Sequence, residues 1–531
     1  MKRVVTIILM SIFSIWCLHG LGIQGHAGDI NTLNVAFYHA RVSTLDPHVQ
    51  NSTEKNICYM TYESLLHRYK DTLKLRPALA TSWEVSQDAR VFTFHLRKGV
   101  KFHDGTPFNA EAVKFNFDRI NHLKKGFHWL LSLSKLEKVE VVDDYTVRFV
   151  LAEPFSLFLG IMEYFPMVSP TDVRKHEEKQ GDYAATYYVD HGVGTGPYLF
   201  KEWQHGVKIV MEKYDGYWGG WKGNHCSRVI NWIIPEAGTQ RMMVEKGELD
   251  LIQIFTIDDF ERLKKNPDLA CLEKPSMAPN YIRLNCATGP TKDVRVRKAV
   301  SYCLNRKLYE EMLGTKVIPS DGPCPKELLG GWAPENVITE YNPEKAKKLL
   351  AEAGYPNGFD MSVIIKKGEP GDRVLAEVWQ AGLAKAGVKL NIRVLPWPAI
   401  RSTLAKWRQT RDPATGPNCY IQFLGARLAD PYGYIFMGYH SEAQTGKGRN
   451  WMLYSNPKVD EVAEKAVKST DPEERIRMYR EAIQMITDDC PDVFIQKLVD
   501  RAVVRNVVKG FYFDLLYPHA LGYFDMYKVG P

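Results

Sequence analysis

Strand-like and helix-like patterns alternate along this chain from one end to the other, and that alternation narrows the possible folds more than any single motif. Phe92, Phe94 and Leu96 point one way while Val91, Thr93 and His95 point the other, the period-2 pattern of a half-buried strand. Residues 139–142, the acidic pair Asp143-Asp144, and then Tyr145, Val147, Phe149 and Leu151 predict a hairpin with a two-residue turn. Val207, Ile209 and Met211 predict another strand, and residues 228–234 one more. Between them lie punctuated helices. Asn342 caps a helix opening on Pro343, with Ala346, Leu349, Leu350 and Ala353 on one stripe and Gly354 as the stop. Asp471-Pro472-Glu473-Glu474 opens a second, with Ile476, Tyr479 and Ile483 inward, and Asn109 caps a third, with Val113, Phe117 and Ile120 inward. Val459, Val462, Ala463, Ala466 and Val467 mark a fourth. No repeat, low-complexity tract or long linker interrupts the series, so mixed α/β domains continuous with one another are expected. At 531 residues the chain exceeds the about 250–300 that one core sustains, so it needs more than one.

Composition excludes several classes. Apolar residues make up 45% and charged residues 25%, a globular balance that rules out wholesale disorder. The net charge of +7 comes from interspersed residues rather than blocks, so no nucleic-acid partner is expected. Lys2 and Arg3, the apolar stretch 4–18 and the small or polar residues up to Gly25-His26-Ala27 form the pattern of a secretory signal peptide cut after Ala27. A retained anchor is the alternative, for which about 15 apolar residues is short. Of nine cysteines, Cys17 falls in this leader, behind a bulky Trp16 unlike a lipoprotein site. The other eight contain no C-x-x-C pair, so no zinc ribbon or thioredoxin motif is present, and their pairing stays open.

A search for catalytic constellations finds no G-x-S-x-G elbow, phosphate loop, H-E-x-x-H helix or EF-hand. His176-Glu177-Glu178-Lys179-Gln180 lacks the second histidine. Asp143-Asp144, Asp258-Asp259 and Asp488-Asp489 read as turn or cap residues, because adjacent carboxylates seldom converge on one substrate atom. His103, in the turn Lys101-Phe102-His103-Asp104-Gly105, reads as structural. No catalytic residue, cofactor or metal site is expected.

The order of segments carries a resemblance. Leu75-Arg76-Pro77-Ala78-Leu79-Ala80-Thr81-Ser82-Trp83-Glu84-Val85, then Phe92-Thr93-Phe94-His95-Leu96-Arg97-Lys98-Gly99-Val100-Lys101-Phe102-His103-Asp104-Gly105-Thr106-Pro107-Phe108, resembles the hallmark stretch of the family 5 extracellular solute-binding proteins. Gly194-Thr195-Gly196-Pro197-Tyr198, Tyr214-Asp215-Gly216-Tyr217-Trp218, Lys246-Gly247-Glu248-Leu249-Asp250 and Val294-Arg295-Val296-Arg297-Lys298-Ala299-Val300 follow in that family's order. Ala351-Glu352-Ala353-Gly354-Tyr355 and Asn456-Pro457-Lys458-Val459-Asp460 complete the series. The resemblance implies a two-lobed α/β periplasmic binding protein, the monomeric receptor of an ABC importer for peptides, nickel chelates, opines or similar solutes, delivering to permease subunits in the membrane. It implies lobe I at 28–280, with an extra subdomain at 73–196, lobe II at 281–497 and a return to lobe I at 498–531. Two hinge crossings fall near Tyr281-Ile282-Arg283-Leu284 and Phe494-Ile495-Gln496-Lys497. The solute is then trapped by closure and no covalent step is needed. A secreted hydrolase and a holdase for unfolded chains are the competing readings.

Site residues follow by position. The basic residue that holds a ligand carboxylate in dipeptide-binding members falls at Lys366, whose alternative role is a solvated Lys366-Lys367 loop. The aspartate that holds the ligand amine there is replaced by Arg427, in Gly425-Ala426-Arg427-Leu428-Ala429-Asp430-Pro431. A cation repels an ammonium, which favours an anionic or amine-blocked ligand, unless the loop is shifted or Arg427 faces solvent. Tyr38 and Arg41, in the loop after the first strand, lead toward the cleft, and Trp397, between Pro396 and Pro398, either walls it or packs in a core. The arginines of nickel-chelate members are missing at Gly126-Phe127-His128 and Phe165-Pro166-Met167, which disfavours nickel.

Overall fold

Two long strands, Leu269–Leu284 and Asp492–Arg505, pair antiparallel over most of their length and organise the molecule. The computed structural model describes residues 29–36, 42–50, 55–69, 72–253, 255–412, 416–425, 428–445, 448–516 and 522–530. The leader 1–27 and the candidates Tyr38, Arg41 and Arg427 lie outside the described residues.

The ribbon sits at the centre of one 11-stranded sheet. On one side Cys419–Phe423 pairs with the segment Asn280 to Leu284 of the ribbon, followed outward by Asp360–Lys366 and Lys389–Leu395. On the other, Leu251–Ile252 pairs with Val503 and Val504, followed by Thr32–Ala36, Arg228–Trp232, Lys208–Lys213 and Tyr198–Gln204. The two halves of the sheet therefore grip opposite ends of the same ribbon. Between the grips the register slips, from Pro275↔Val499 to Pro279↔Lys497. Prolines at both edges of the slip remove ladder donors, which is where a sheet can bend at low cost.

Strand directions fix what the halves present to each other. Leu269–Leu284 runs from the first half into the second, so its antiparallel neighbour Cys419–Phe423, and Asp360–Lys366 parallel to that, end toward the first half. Leu251–Ile252 runs against Asp492–Arg505, and Thr32–Ala36 runs parallel to it, so both end toward the second half. The carboxyl ends of both sets of strands thus face across the register slip, and carboxyl ends of strands are where open α/β sheets bind ligands.

A separate four-stranded antiparallel sheet forms in the order Ala80–Val85, Val91–Leu96, Thr146–Leu151, Leu136–Asp143. Phe92, Phe94 and Leu96 are buried with Val147, Phe149 and Leu151, as the alternation predicts. Tyr145 does not join the strand: its N–H bonds the Asp143 carboxylate at 2.8 Å, so the turn falls at Asp144-Tyr145, one residue later than the hydrophobic pattern places it. The helix Ala110–Leu123 covers this sheet with Val113, Phe117 and Ile120. Its cap is Asn109, whose side chain accepts from Ala112 N–H at 2.9 Å. Asn109→Ala should cost about 1 kcal/mol by denaturant unfolding, the usual value of a lost N-cap.

Asn342 and Asp471 cap Pro343–Glu352 and Pro472–Asp489 as their sequences predict. The acidic pairs are structural too. Asp258 and Asp259 lie in the first turn of Ile257–Leu263, where Thr256 and Asp259 close a reciprocal capping box, and Asp489 accepts from Tyr454 and Asn456 at 2.6 and 2.8 Å. All eight described cysteines are free thiols.

Candidate functional site

The family-like segments of the first half meet at one buried carboxylate. Glu63 accepts from Trp218 Nε1 at 2.5 Å, Tyr217 OH at 2.9 Å and Thr195 Oγ1 at 3.1 Å. Burial pushes its carboxyl up to about 7 against those three donors. The glycines of Gly194-Thr195-Gly196 permit this: a Cβ at either would lie 2.2–2.5 Å from the carbonyl oxygens of Thr61 and Met60. His103 joins the same knot, its Nε2 bonded to Gly196 O at 2.8 Å, and burial drops its pKa to about 4. These residues are framework, as the turn position of His103 predicts.

Beside the knot lies a cavity of about 240 Å³, lined among others by Arg68, Arg76, Trp218, Tyr512, Asp514 and Leu516. Arg68 is held by Glu163 at 3.0 Å, and the charge of Asp514 also acts on it.

The second half offers a polar and aromatic face at its strand ends. Lys366 ends its strand and stands opposite Leu395 of the next, with Trp397 two residues beyond, so the structure brings these two predicted residues to one rim. Lys366 donates to Glu369, and Asp372 in the following helix turn is pushed up to about 7, by burial first and then by Glu369, with Lys366 opposing. The lysine is therefore tied into its own loop, and a ligand carboxylate has to compete with Glu369 for it. Trp397 is half-buried and tilts 42° against Trp451 at 5.9 Å, with Tyr420 6.0 Å further along. Burial holds the Tyr420 hydroxyl well above its ordinary range.

Position in the chain did not point to the polar groups at the mouth between the halves. Gln253, immediately after Leu251–Ile252, and Gln422, in Cys419–Phe423, are 6% and 5% exposed, yet neither amide has a hydrogen-bond partner among the described residues. Asp500, on the central ribbon, is 3% exposed and pushed up to about 7 by burial and by Asp514. Buried polar groups are nearly always paired, so two unpartnered amides near strand ends that face each other stand out. Among the described residues no three His, Cys, Asp or Glu side chains converge as metal ligands.

Comparison with known proteins agrees with this architecture. A family model described as bacterial extracellular solute-binding proteins, family 5 Middle, matches residues 74–446. The glutathione-binding protein GsiB of Salmonella typhimurium is 30% identical over 469 residues, covering 86% of this chain and 88% of that protein. GsiB of Pectobacterium atrosepticum is 29% identical over 477 residues, covering 88% and 89%. The ABC transporter-associated periplasmic binding protein DppA from Helicobacter pylori, solved with the peptide STSA, superposes with a TM-score of 0.81 at 26% identity, covering 95% of this chain and 99% of that one. The chain thus belongs to the family 5 extracellular solute-binding proteins of ABC importers.

Proposed function

We propose that the protein works in the periplasm as a monomeric receptor that closes on a short peptide or peptide-derived solute, glutathione among the candidates, and passes it unaltered to membrane permease subunits. The single observation that carries this reading is the mouth between the halves, where facing strand ends meet and the buried amides of Gln253 and Gln422 have no partner. Each amide offers a donor and an acceptor, the complement of a peptide group. The names of the relatives, glutathione-binding and peptide-complexed, support the same solute class. In this reading the halves divide as lobe I at 28–280 and 498–531, with 73–196 as its extra unit, and lobe II at 281–497. The two hinge crossings near Tyr281-Ile282-Arg283-Leu284 and Phe494-Ile495-Gln496-Lys497 belong to this reading, with the register slip around 275–279 beside them as a place to bend. Lys366, Trp397 and Arg427 would then belong to the wall of lobe II, and Tyr38 and Arg41 to that of lobe I.

A thermal-shift series tests it. A solute present at a hundredfold excess over its Kd adds about 2.7 kcal/mol, a rise of several degrees in midpoint. Glutathione or members of a di- to tetrapeptide panel should produce that rise and be recovered with unchanged mass. A flat response to all of them, or a recovered peptide that has been cleaved, rejects the reading.

A further inference from the structure

Parity sorts the side chains of the second half. Along Cys419–Phe423, Cys419 and Ile421 enter one core with Val363 and Ile365 of the neighbouring strand. Tyr420 and Ile364, opposite each other in the register, therefore take the other face. Gln422 has the parity of Tyr420, so it lies on that same face, two residues or about 7 Å nearer the mouth. A second, smaller core covers this face. In it Ile400 and Leu404 of the helix Trp397–Thr410 are buried with Met452, Ile364 and Tyr420.

Three rings run up the face towards the mouth. Tyr420 is the deepest, Trp451 stands in the middle at 6.0 Å and 41° from it, and Trp397 is outermost at 5.9 Å and 42° from Trp451. These are the separations and tilts of favourable aromatic pairs, and a further ring can extend such a row. Trp397 opens its helix just after the strand Lys389–Leu395, whose last residue stands opposite Lys366, so this end of the row is at the rim. The protein does not close over it. Trp379 and Trp407 of the same half are wholly buried, whereas Trp397 and Trp451 are only partly covered. On the same face is the Gln422 amide, 5% exposed and without a partner. Open aromatic surface and an unsatisfied carboxamide thus share one face at the strand ends, and a ligand with both a ring and an amide completes the two together.

We infer that Trp397 and Trp451, continuing the row from Tyr420, form a subsite for an aromatic side chain of the transported peptide, next to the peptide group received by Gln422. An extended peptide rises about 3.3 Å per residue, so a chain whose peptide group meets Gln422 brings a neighbouring side chain to the row within two residues. Ring-on-ring geometry adds to the burial of area, a gain that an aliphatic side chain of similar size lacks. The inference rests on the peptide-receptor reading and narrows it: the preferred solute is a short peptide with an aromatic residue, and glutathione, which has none, is a weaker one.

Titration calorimetry on the full mature chain tests this with trialanine, with trialanine carrying phenylalanine or leucine at each position in turn, and with glutathione. At one position phenylalanine should bind about tenfold or more tighter than alanine, and about threefold or more tighter than leucine. Trp397→Ala and Trp451→Leu should each weaken that phenylalanine peptide about fivefold or more and leave trialanine within about twofold. Trp397→Phe and Trp451→Phe keep a ring and should keep most of the preference. These two variants serve if the smaller side chains prevent folding, because in protein labelled with fluorotryptophan they assign the fluorine resonances of Trp397 and Trp451. Both resonances should move when the phenylalanine peptide is added and stay in place with trialanine. Equal binding of phenylalanine and leucine at every position, a preference that survives either shortened variant, resonances indifferent to the added ring, or binding of glutathione alone overturns the inference while leaving solute capture intact. If neither these peptides nor glutathione bind, the peptide-receptor reading and the inference fall together.

Discussion

Arg119→Met should cost about 3–5 kcal/mol of folding stability, the usual penalty for stripping one partner from a buried ion pair. Arg119 is fully buried and holds Asp46 with two hydrogen bonds, Nη1–Oδ1 at 2.8 Å and Nη2–Oδ2 at 2.7 Å. Its Nε donates to Tyr183 O at 3.1 Å, and the guanidinium lies 5.0 Å from the centre of the Tyr188 ring. Burial is the largest influence on Asp46 and acts upward, but Arg119 and the His48 contacts outweigh it and hold the carboxyl below its ordinary value. His48 sits at about 4, driven down by burial and then by Arg119, so its ring is neutral at pH 7. Arginine donates to Nδ1 at 2.9 Å, which leaves Nε2 as the N–H that donates to Pro166 O at 2.7 Å. The triad fastens the loop 42–50 to the helix Ala110–Leu123, and so fastens the four-stranded unit to the first half. Guanidinium denaturation checks the prediction, and the double variant Asp46→Leu with Arg119→Met should be less damaged than Arg119→Met alone. If the single variant loses under 1 kcal/mol, the pair is not what joins the two units.

Local features were legible in the sequence because local physics sets them. The caps Asn109, Asn342 and Asp471 each act within three residues, and the parity of Phe92, Phe94 and Leu96 needs no partner to be read. The turn at Asp144-Tyr145 moved by one residue because a side-chain bond from Asp143 outweighed the hydrophobic pattern. Strand order was beyond reach: Thr32–Ala36 lies beside Arg228–Trp232, and Leu269–Leu284 beside Asp492–Arg505, pairings decided by tertiary packing across some 200 residues of chain. The site divides the same way. Lys366 and Trp397 stood out by position, and they do share a rim. Gln253 and Gln422 carried no signal of burial in the sequence; only the assembled strands enclose their amides without partners.

Locking Glu153→Cys to Lys468→Cys with a short bismaleimide should slow release of a bound solute by on the order of 100-fold or more, since affinity in such systems is governed by the exit rate. Glu153 bonds Lys468 at 2.8 Å and Lys135 at 2.6 Å, and Val467 O accepts from both Ser156 N and Oγ, at 3.0 and 2.8 Å. Trp129 stacks with Phe436 at 6.4 Å and 8° beside them. These contacts join the four-stranded unit, whose chain belongs with the first half, to the helices Pro457–Lys468 and Pro431–Gly438 of the second. The ion pairs are half-exposed, worth no more than about 1 kcal/mol each, so water replaces them at little cost when the mouth opens. A covalent bridge removes that freedom without touching the solute. Six of the eight described native cysteines are buried, and Cys271 and Cys286 are partly so, so the singly substituted proteins treated with the same reagent are the control. Slow release in the bridged protein alone, with parental rates in both singles, places this contact on the face that parts during exchange. An unchanged rate after complete bridging means that the four-stranded unit and the second half move together, and the opening lies wholly between the strand ends at Gln253 and Gln422.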